Sequence, residues 1–272
     1  MGYYIYRLID HTERDPFINM ALDEAIAMAC RNSLVPPTIR FHTWDSPVLS
    51  VGRFQKIERD INIEMCNKLG IDIVRRISGG KTVYHKDELT YSVISKKSDN
   101  IYSKDRYSSQ RIIAAALIAG LKRIGVYAEI VQPVKDRGDI RDMPYCFLSA
   151  SQNEIVFKGK KLVGSAQKRW RDIFLQQGSI LIDFSPQETL SLINFPAEDI
   201  REKRIRDAEG KITSLNRILS IYIQVNEIKD ALVRGFREVF GIRIEEGHII
   251  QYERELSMKL AESEKYSPLQ RM

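Results

Sequence analysis

The order in which periodicities change along this chain limits its fold more than any other feature. Short runs rich in β-branched and aromatic residues, at 3–9, 38–43, 48–52, 71–76, 89–95 and 180–183, are interleaved with segments of helical spacing. That mixed order predicts an α+β domain, a mixed β-sheet flanked by helices. With 272 residues, 43% of them apolar, the chain has ordinary globular usage. A single domain of this length buries roughly 70 to 75% of its unfolded surface. One domain over 1–272 is expected, with a mainly helical layer at about 186–272.

Local signals place the elements. Asp15 before Pro16 marks a helix start, because Asp caps free amides and Pro suits the first helical position. Ile18, Leu22, Ala25 and Ala29 then share one stripe, as do Ile113, Leu117, Leu121 and Ile124 in a helix over 108–124. A short helix over 63–69 is stopped by Gly70. The runs 38–43 and 48–52, separated by Trp-Asp-Ser-Pro, are expected to be paired strands. A Lys-Gly-Lys turn between 154–157 and 161–169 predicts a hairpin. The charged segment 132–143 reads as a long exposed loop leading to Pro144, Tyr145 and Cys146. Towards the C-terminus, Ile228, Ala231, Leu232, Gly235, Phe236 and Val239 form one helix face before Gly241.

Composition excludes several classes. The longest apolar stretch, 112–121, is far short of the ~20 residues a bilayer crossing requires, so no membrane span is expected. Residues 1–10 lack the basic and apolar regions of a signal peptide, which makes the cytoplasm the expected compartment. Cys30, Cys66 and Cys146 stand far apart with no CxxC, and His11, His42, His85 and His248 show no HExxH spacing. No metal is expected. A net charge of +6 favours acidic partners without choosing among them. The cations of 201–206 read as a solvated helix face rather than a nucleic-acid patch.

Two places hold residues suited to chemistry. In Arg75-Arg76-Ile77-Ser78-Gly79-Gly80-Lys81-Thr82-Val83-Tyr84-His85, a strand ends in two arginines and turns through two glycines. Backbone amides there can approach an anion or a carbonyl while guanidinium groups supply forked donors. A tight hairpin with exposed basic residues fits the same spacing equally well. Cys146 is a nucleophile only if a neighbouring cation or base makes its thiolate, and a lone cysteine otherwise reads as a small core residue. Lys161 opens a run in which alternation puts Lys161, Val163, Ser165 and Gln167 on one face and Leu162, Gly164 and Ala166 on the other. Beside a turn, a lysine pair such as Lys160-Lys161 is more often solvent-facing.

Taken together, RRISGGKTVYHKDELTYSV from Arg75 and GKKLVGSAQKR from Gly159 resemble the two signature regions of the biotin and lipoate protein ligase family. NMALDEAI after Ile18 and IRFHTWDSPVLSVGRFQ after Thr38 extend the resemblance. It implies a fold like that of class II aminoacyl-tRNA synthetases and biotin synthetase. Cys146 in its loop, Lys81 where ligases carry a third glycine, and Glu88-Leu89-Thr90-Tyr91-Ser92 in place of the ligases' Gly-Asn-x-Asn-Phe-Ser resemble the octanoyltransferase branch built on the ligase scaffold.

The resemblance implies an acyltransferase that moves octanoate from octanoyl-acyl carrier protein to a lysine of a lipoyl domain. Such an acceptor is the glycine cleavage H protein or a 2-oxoacid dehydrogenase E2. Cys146 would carry the acyl group and Lys161 would assist it. Arg75, Arg76, Gly79, Gly80, His85, Gly164, Ser165 and Ala166 would bind substrate. No cofactor is implied, since a thioester is already activated, and a monomer that binds neither nucleic acid nor membrane is expected. The alternatives are an ATP-dependent lipoate ligase, an amidotransferase between lipoyl proteins, and a non-catalytic nucleic-acid or regulatory binder.

Overall fold

The computed structural model of the chain describes residues 4–103, 105–131, 145, 147, 154–263 and 266. β1 (Ile5–Asp10) leads to α1 (Pro16–Arg31), which Asp15 caps by accepting from the amides of Phe17 and Ile18 at 2.8 and 3.1 Å. Next come β2 (Thr38–His42), β3 (Val48–Val51), α2 (Ile57–Asp60), α3 (Ile63–Leu69) and β4 (Asp72–Arg75). Gly70 ends α3 at φ 64°, in the left-handed region where glycine carries no steric cost.

β5 (Val83–His85), β6 (Glu88–Lys96), α4 (Arg106–Arg123) and β7 (Glu129–Ile130) follow, then β8 (Ile155–Phe157), β9 (Lys160–Arg169) and β10 (Ile173–Leu181). Lys158 and Gly159, at φ 49° and 76°, make the tight turn between β8 and β9 that their sequence predicts. The rest of the described chain holds α5 (Pro186–Ser191), α6 (Glu198–Lys211), α7 (Leu215–Leu219), α8 (Val225–Phe240), β11 (Arg243–Glu246) and α9 (Gln251–Ala261).

Among the described residues, eight strands form one mixed sheet in the order β11-β1-β2-β6-β10-β9-β8-β7, and three form a second in the order β4-β3-β5. The expected pairing of 38–43 with 48–52 is overturned. β2 lies between β1 and β6 in the large sheet, whereas β3 lies between β4 and β5 in the small one. Both edges of each strand are taken by other partners, so the Trp44-Asp45-Ser46-Pro47 segment passes from one sheet to the other instead of reversing the chain. β11, parallel to β1, adds a strand to a region that reads as helical in sequence.

Alternation along β10 divides the core. Phe174 and Ile180 face α4 and α8, while Ile173 and Leu175 face α1. Gly120 and Gly235 let α4 and α8 cross closely: a Cβ on Gly235 would lie 2.3 Å from the Ala116 carbonyl oxygen. Phe240 is buried at the end of α8 and Val239 is exposed, because the apolar stripe drifts round the helix over four turns. The cations of α6 pair along their own helix, Arg201 with Glu198 and Arg204 with Asp207, as a solvated face does. A third cluster packs the small sheet against Phe184, Leu190, Ile193 and the two aromatic residues Tyr145 and Phe147. No described helix is long and apolar enough to cross a membrane.

Candidate active site

The glycine segment between β4 and β5 is held open by its own arginines. Arg76, 5% exposed, donates to the Ser50 carbonyl and hydroxyl at 3.2 and 3.1 Å, to the Gly79 carbonyl at 3.3 and 3.1 Å, and to the Lys81 carbonyl at 2.5 Å. Arg75 Nη1 donates to the carbonyls of Gly52, Arg53 and Gln55 at 3.0, 3.3 and 3.0 Å. These donors organise loop backbone. Gly80 sits at φ 92°, and a Cβ on Gly52 would fall 1.9 Å from the Gly80 carbonyl oxygen. Only glycine at 52 permits that approach.

A buried polar chain ties this segment to α1. The Ser78 hydroxyl donates to Gln177 Oε1 at 3.1 Å, and Gln177 Nε2 donates to Asp23 Oδ2 at 2.6 Å. Asp23 also accepts from the Ser92 hydroxyl and pairs with the fully buried Arg40 at 2.8 Å. Beside it, His85 Nδ1 lies 2.6 Å from Glu88 Oε1, and His85 Nε2 lies 2.7 Å from Ser50 Oγ. The His85 ring stacks 4.6 Å from Trp44, whose indole donates to Thr90 Oγ1 at 3.0 Å. His42 meets Trp44 edge-on, at 5.5 Å between centroids. Burial, and then the neighbouring Arg40, hold His42 well below the ordinary imidazole range.

Lys161 does not follow simple alternation. β8 and β9 pair Ile155 with Val163 but Val156 with Lys161, so β9 carries one extra residue at Leu162. This bulge sends both Leu162 and Val163 into the main core and turns Lys161 to the other face. Lys161 therefore shares its face with Gly164 and Ala166, not with Val163 and Ser165 as alternation predicts. It is 4% exposed, with Nζ 2.5 Å from Glu154 Oε1 and 5.0 Å from the centre of the Phe147 ring. Lys160 is the solvent-facing member of the pair.

Phe147 also lies over Gly164, where a Cβ would come within 3.0 Å of its ring. Ala166 faces the glycine loop, its Cβ 3.9 Å from the position a Cβ on Gly80 would take. Lys161, Gly164, Ala166 and the Gly80 segment are thus brought together on one face. Ser165 points to the opposite face, where its hydroxyl meets that of Tyr91 at 2.8 Å. Gly178 makes this possible, since a Cβ there would lie 2.4 Å from the Tyr91 ring.

Tyr145 bridges Thr82 at the end of the glycine loop, and its ring stands 6.0 Å from Phe147 and 6.5 Å from Phe184. Cys146 and the segment 132–144 lie outside the described residues. Cys30 and Cys66 are buried, and burial pushes their thiols up to about 12 and about 11 respectively. Among the described residues no three His, Cys, Asp or Glu side chains are grouped to hold a metal ion.

Sequence reasoning did not single out Glu154, Asp23, Gln177 or Ser50, and it marked Glu88 only as part of the segment that departs from the ligase pattern. The signal was a polar or charged residue inside an apolar run, as at Gln177 within 173–181 and Asp23 within the first helix. Such residues are costly to bury unless partnered.

A family model described as the lipoyl protein ligase A/B catalytic domain matches residues 15–237. A protein from Kyrpidia tusciae named Octanoyltransferase LipM is 36% identical over 258 residues, 94% of each chain. One of the same name from Halalkalibacterium halodurans is 36% identical over 244 residues, 88% of each chain. The bipartite lipoate protein ligase of Thermoplasma acidophilum, solved in a study with its E2 lipoyl domain, superposes with a TM-score of 0.78 at 24% identity. That superposition covers 97% of this chain and 94% of the other. At that identity the likeness shows the fold.

Proposed function

This chain belongs to the lipoyl protein ligase A/B catalytic-domain family, and we propose that it is the acyltransferase of protein lipoylation that moves an octanoyl group through a thioester on Cys146. The observation that carries the mechanism is the seating of Lys161. Its Nζ is buried 5.0 Å from the ring of Phe147, the residue that follows Cys146 in the chain. Tyr145, the residue before, bridges to the glycine loop. The relatives named Octanoyltransferase LipM, aligned over most of their length, support the same reading.

In this mechanism the Cys146 thiolate, with the Lys161 ammonium as counter-ion, attacks the carbonyl carbon of octanoyl-acyl carrier protein. The carbon–sulfur bond to the carrier breaks, and the departing thiolate takes a proton from Lys161. A lysine amine of the lipoyl domain then attacks the acyl-Cys146 carbonyl, gives its extra proton back to Lys161, and releases the cysteine as thiolate. Amides at Gly79, Gly80 or the 164–166 strand hold the oxyanion.

His85, buried between Glu88, Ser50 and Trp44, serves substrate by holding this side of the candidate site in place. Arg75 and Arg76 serve substrate through the loop they organise. Ser165 serves it through its backbone alone, since its hydroxyl is engaged with Tyr91. The acceptor is the glycine cleavage H protein or a 2-oxoacid dehydrogenase E2, and the enzyme works as a cytoplasmic monomer. Its +6 charge suits an acidic carrier.

The test is intact mass after incubation with octanoyl-acyl carrier protein and no ATP. One octanoyl adduct is expected on the wild type and none on Cys146→Ala, and adding a lipoyl domain chases the adduct onto it. If no adduct forms, and lipoate with ATP modifies the lipoyl domain equally well in both proteins, the chain is a ligase and the proposal fails.

A further inference from the structure

Asp23 has no part in the mechanism above, yet the buried chain that leads to the glycine loop starts from it. It is 1% exposed on α1, and its Oδ1 accepts from Nη1 of the fully buried Arg40 at 2.8 Å. An ionised carboxylate only accepts, and its other oxygen, Oδ2, accepts from the Ser92 hydroxyl and, at 2.6 Å, from Gln177 Nε2. That contact decides which end of the Gln177 amide meets which neighbour. The nitrogen faces Asp23, the oxygen faces Ser78, and the Ser78 hydroxyl donates to it at 3.1 Å. Donation therefore runs in one direction, from the loop inward to α1. Without the carboxylate, either end of the amide could face Ser78.

Ser78 precedes two backbone amides whose directions are also fixed. Its carbonyl accepts from the Arg53 amide at 3.1 Å, and the Gly79 carbonyl accepts from Arg76 at 3.3 and 3.1 Å. In a planar trans peptide the N–H points opposite to the C=O, so the Gly79 amide is turned away from Arg53 and the Gly80 amide away from Arg76. Among the described residues neither amide donates a hydrogen bond. We propose that Asp23 is a positioning residue for acyl transfer: through Gln177 it anchors Ser78, and so holds the Gly79 and Gly80 amides where the oxyanion develops. This rests on the reading of the glycine loop as the oxyanion site. Glycine has no side chain to pin its backbone, so without an anchor at Ser78 the two amides sample more conformations. Donors held in place beforehand stabilise a transition state because they need no rearrangement as charge develops.

The experiment measures acylation by octanoyl-acyl carrier protein, with rapid quench and intact mass, over a range of carrier concentrations. Gln177→Met keeps the shape of the side chain and removes the acceptor, leaving Asp23 on Arg40 and Ser92. It is expected to slow saturated acylation by about 10 to 100-fold. The half-saturating carrier concentration should move by less than about twofold, because the oxyanion exists only in the transition state. Ser78→Ala breaks the same chain one link later, so combining it with Gln177→Met should slow the reaction no further than the worse single variant. The exchanged pair, Asp23→Asn with Gln177→Glu, keeps the buried charge and still places an acceptor against Ser78. It is expected to acylate within about fivefold of wild type, well above Gln177→Met.

Gln177→Met acylating at the wild-type rate overturns the proposal, as does a loss seen only as weaker carrier saturation. Multiplied losses in the Gln177→Met, Ser78→Ala double variant overturn it too, since two independent structural defects add. So does an exchanged pair that folds and is as slow as Gln177→Met, because the direction of donation then does not matter. Should the exchanged pair fail to fold, the two single variants and their combination decide by saturated rate and non-additivity. If wild-type enzyme forms no Cys146-dependent adduct at all, the acyl-cysteine reading has failed instead, and that result is visible before any variant of this chain is made.

Discussion

Replacing Arg76 by lysine separates a loop-holding role from direct substrate binding. Among the described residues the guanidinium donates in three directions, to Ser50, Gly79 and Lys81. A lysine ammonium keeps the charge but is a point donor, able to satisfy one of those directions. Hydrogen bonds involving a charged group contribute about 1.5 to 3 kcal/mol each, and two directions are lost. Gly79 and Lys81 are half-buried, so water recovers part of the loss.

The expected destabilisation is therefore about 2 to 3 kcal/mol. At about 2 to 4 °C per kcal/mol for a chain of this size class, Tm falls by roughly 4 to 12 °C. The loosened glycine loop no longer places its amides, and kcat/KM for octanoyl transfer drops by about 10 to 100-fold, since misplacement of about 1 Å costs on the order of 100-fold. Differential scanning calorimetry and the mass-based transfer assay measure the two quantities on one preparation. An unchanged Tm with collapsed activity would refute the reasoning, and would mean that Arg76 touches substrate directly.

Two further outcomes follow from burial. With thiols at about 12 and about 11, Cys30 and Cys66 carry only about 0.01% and about 0.1% thiolate at pH 8, so iodoacetamide should modify Cys146 in native protein and reach the other two only after unfolding. Peptide mapping checks this, and native labelling of Cys66 at the rate of Cys146 counts against it. His42 is held neutral well below its usual 6.5, so the unfolded chain binds a proton there that the folded chain does not. Stability is unaffected by His42 above about pH 6.5 and falls as pH drops below it. Urea midpoints at pH 7.5 and pH 5.5 should show a larger acid loss for wild type than for His42→Phe, and equal losses would remove His42 from the account.

Much of the site was legible as a set of residues and little of it as an arrangement. The motif around Gly79 and Gly80 and the strand from Lys161 to Ala166 do meet, on one face of the large sheet. Ser165 stands out equally in the motif, but sheet alternation sends its hydroxyl to Tyr91. Arg75 and Arg76 read as ligand donors, because most of the carbonyls they hold belong to Ser50, Gly52, Arg53 and Gln55, more than 19 residues earlier. Glu154 was passed over because its meaning depends entirely on Lys161 turning towards it.

What the sequence determined by itself lies within a few residues of each signal. The Asp15 cap, the Gly70 stop and the Lys158-Gly159 turn depend on local backbone preferences and short-range hydrogen bonds, which a neighbouring side chain is enough to satisfy. The motif resemblance added which residues to expect in the candidate site. Tertiary structure alone decided that β2 and β3 belong to different sheets, that one extra residue at Leu162 turns Lys161 onto the face of Gly164, and that Phe147 packs beneath its ammonium. Those outcomes depend on which distant segments compete for a strand edge or a buried volume, and that competition is settled only when the whole chain packs.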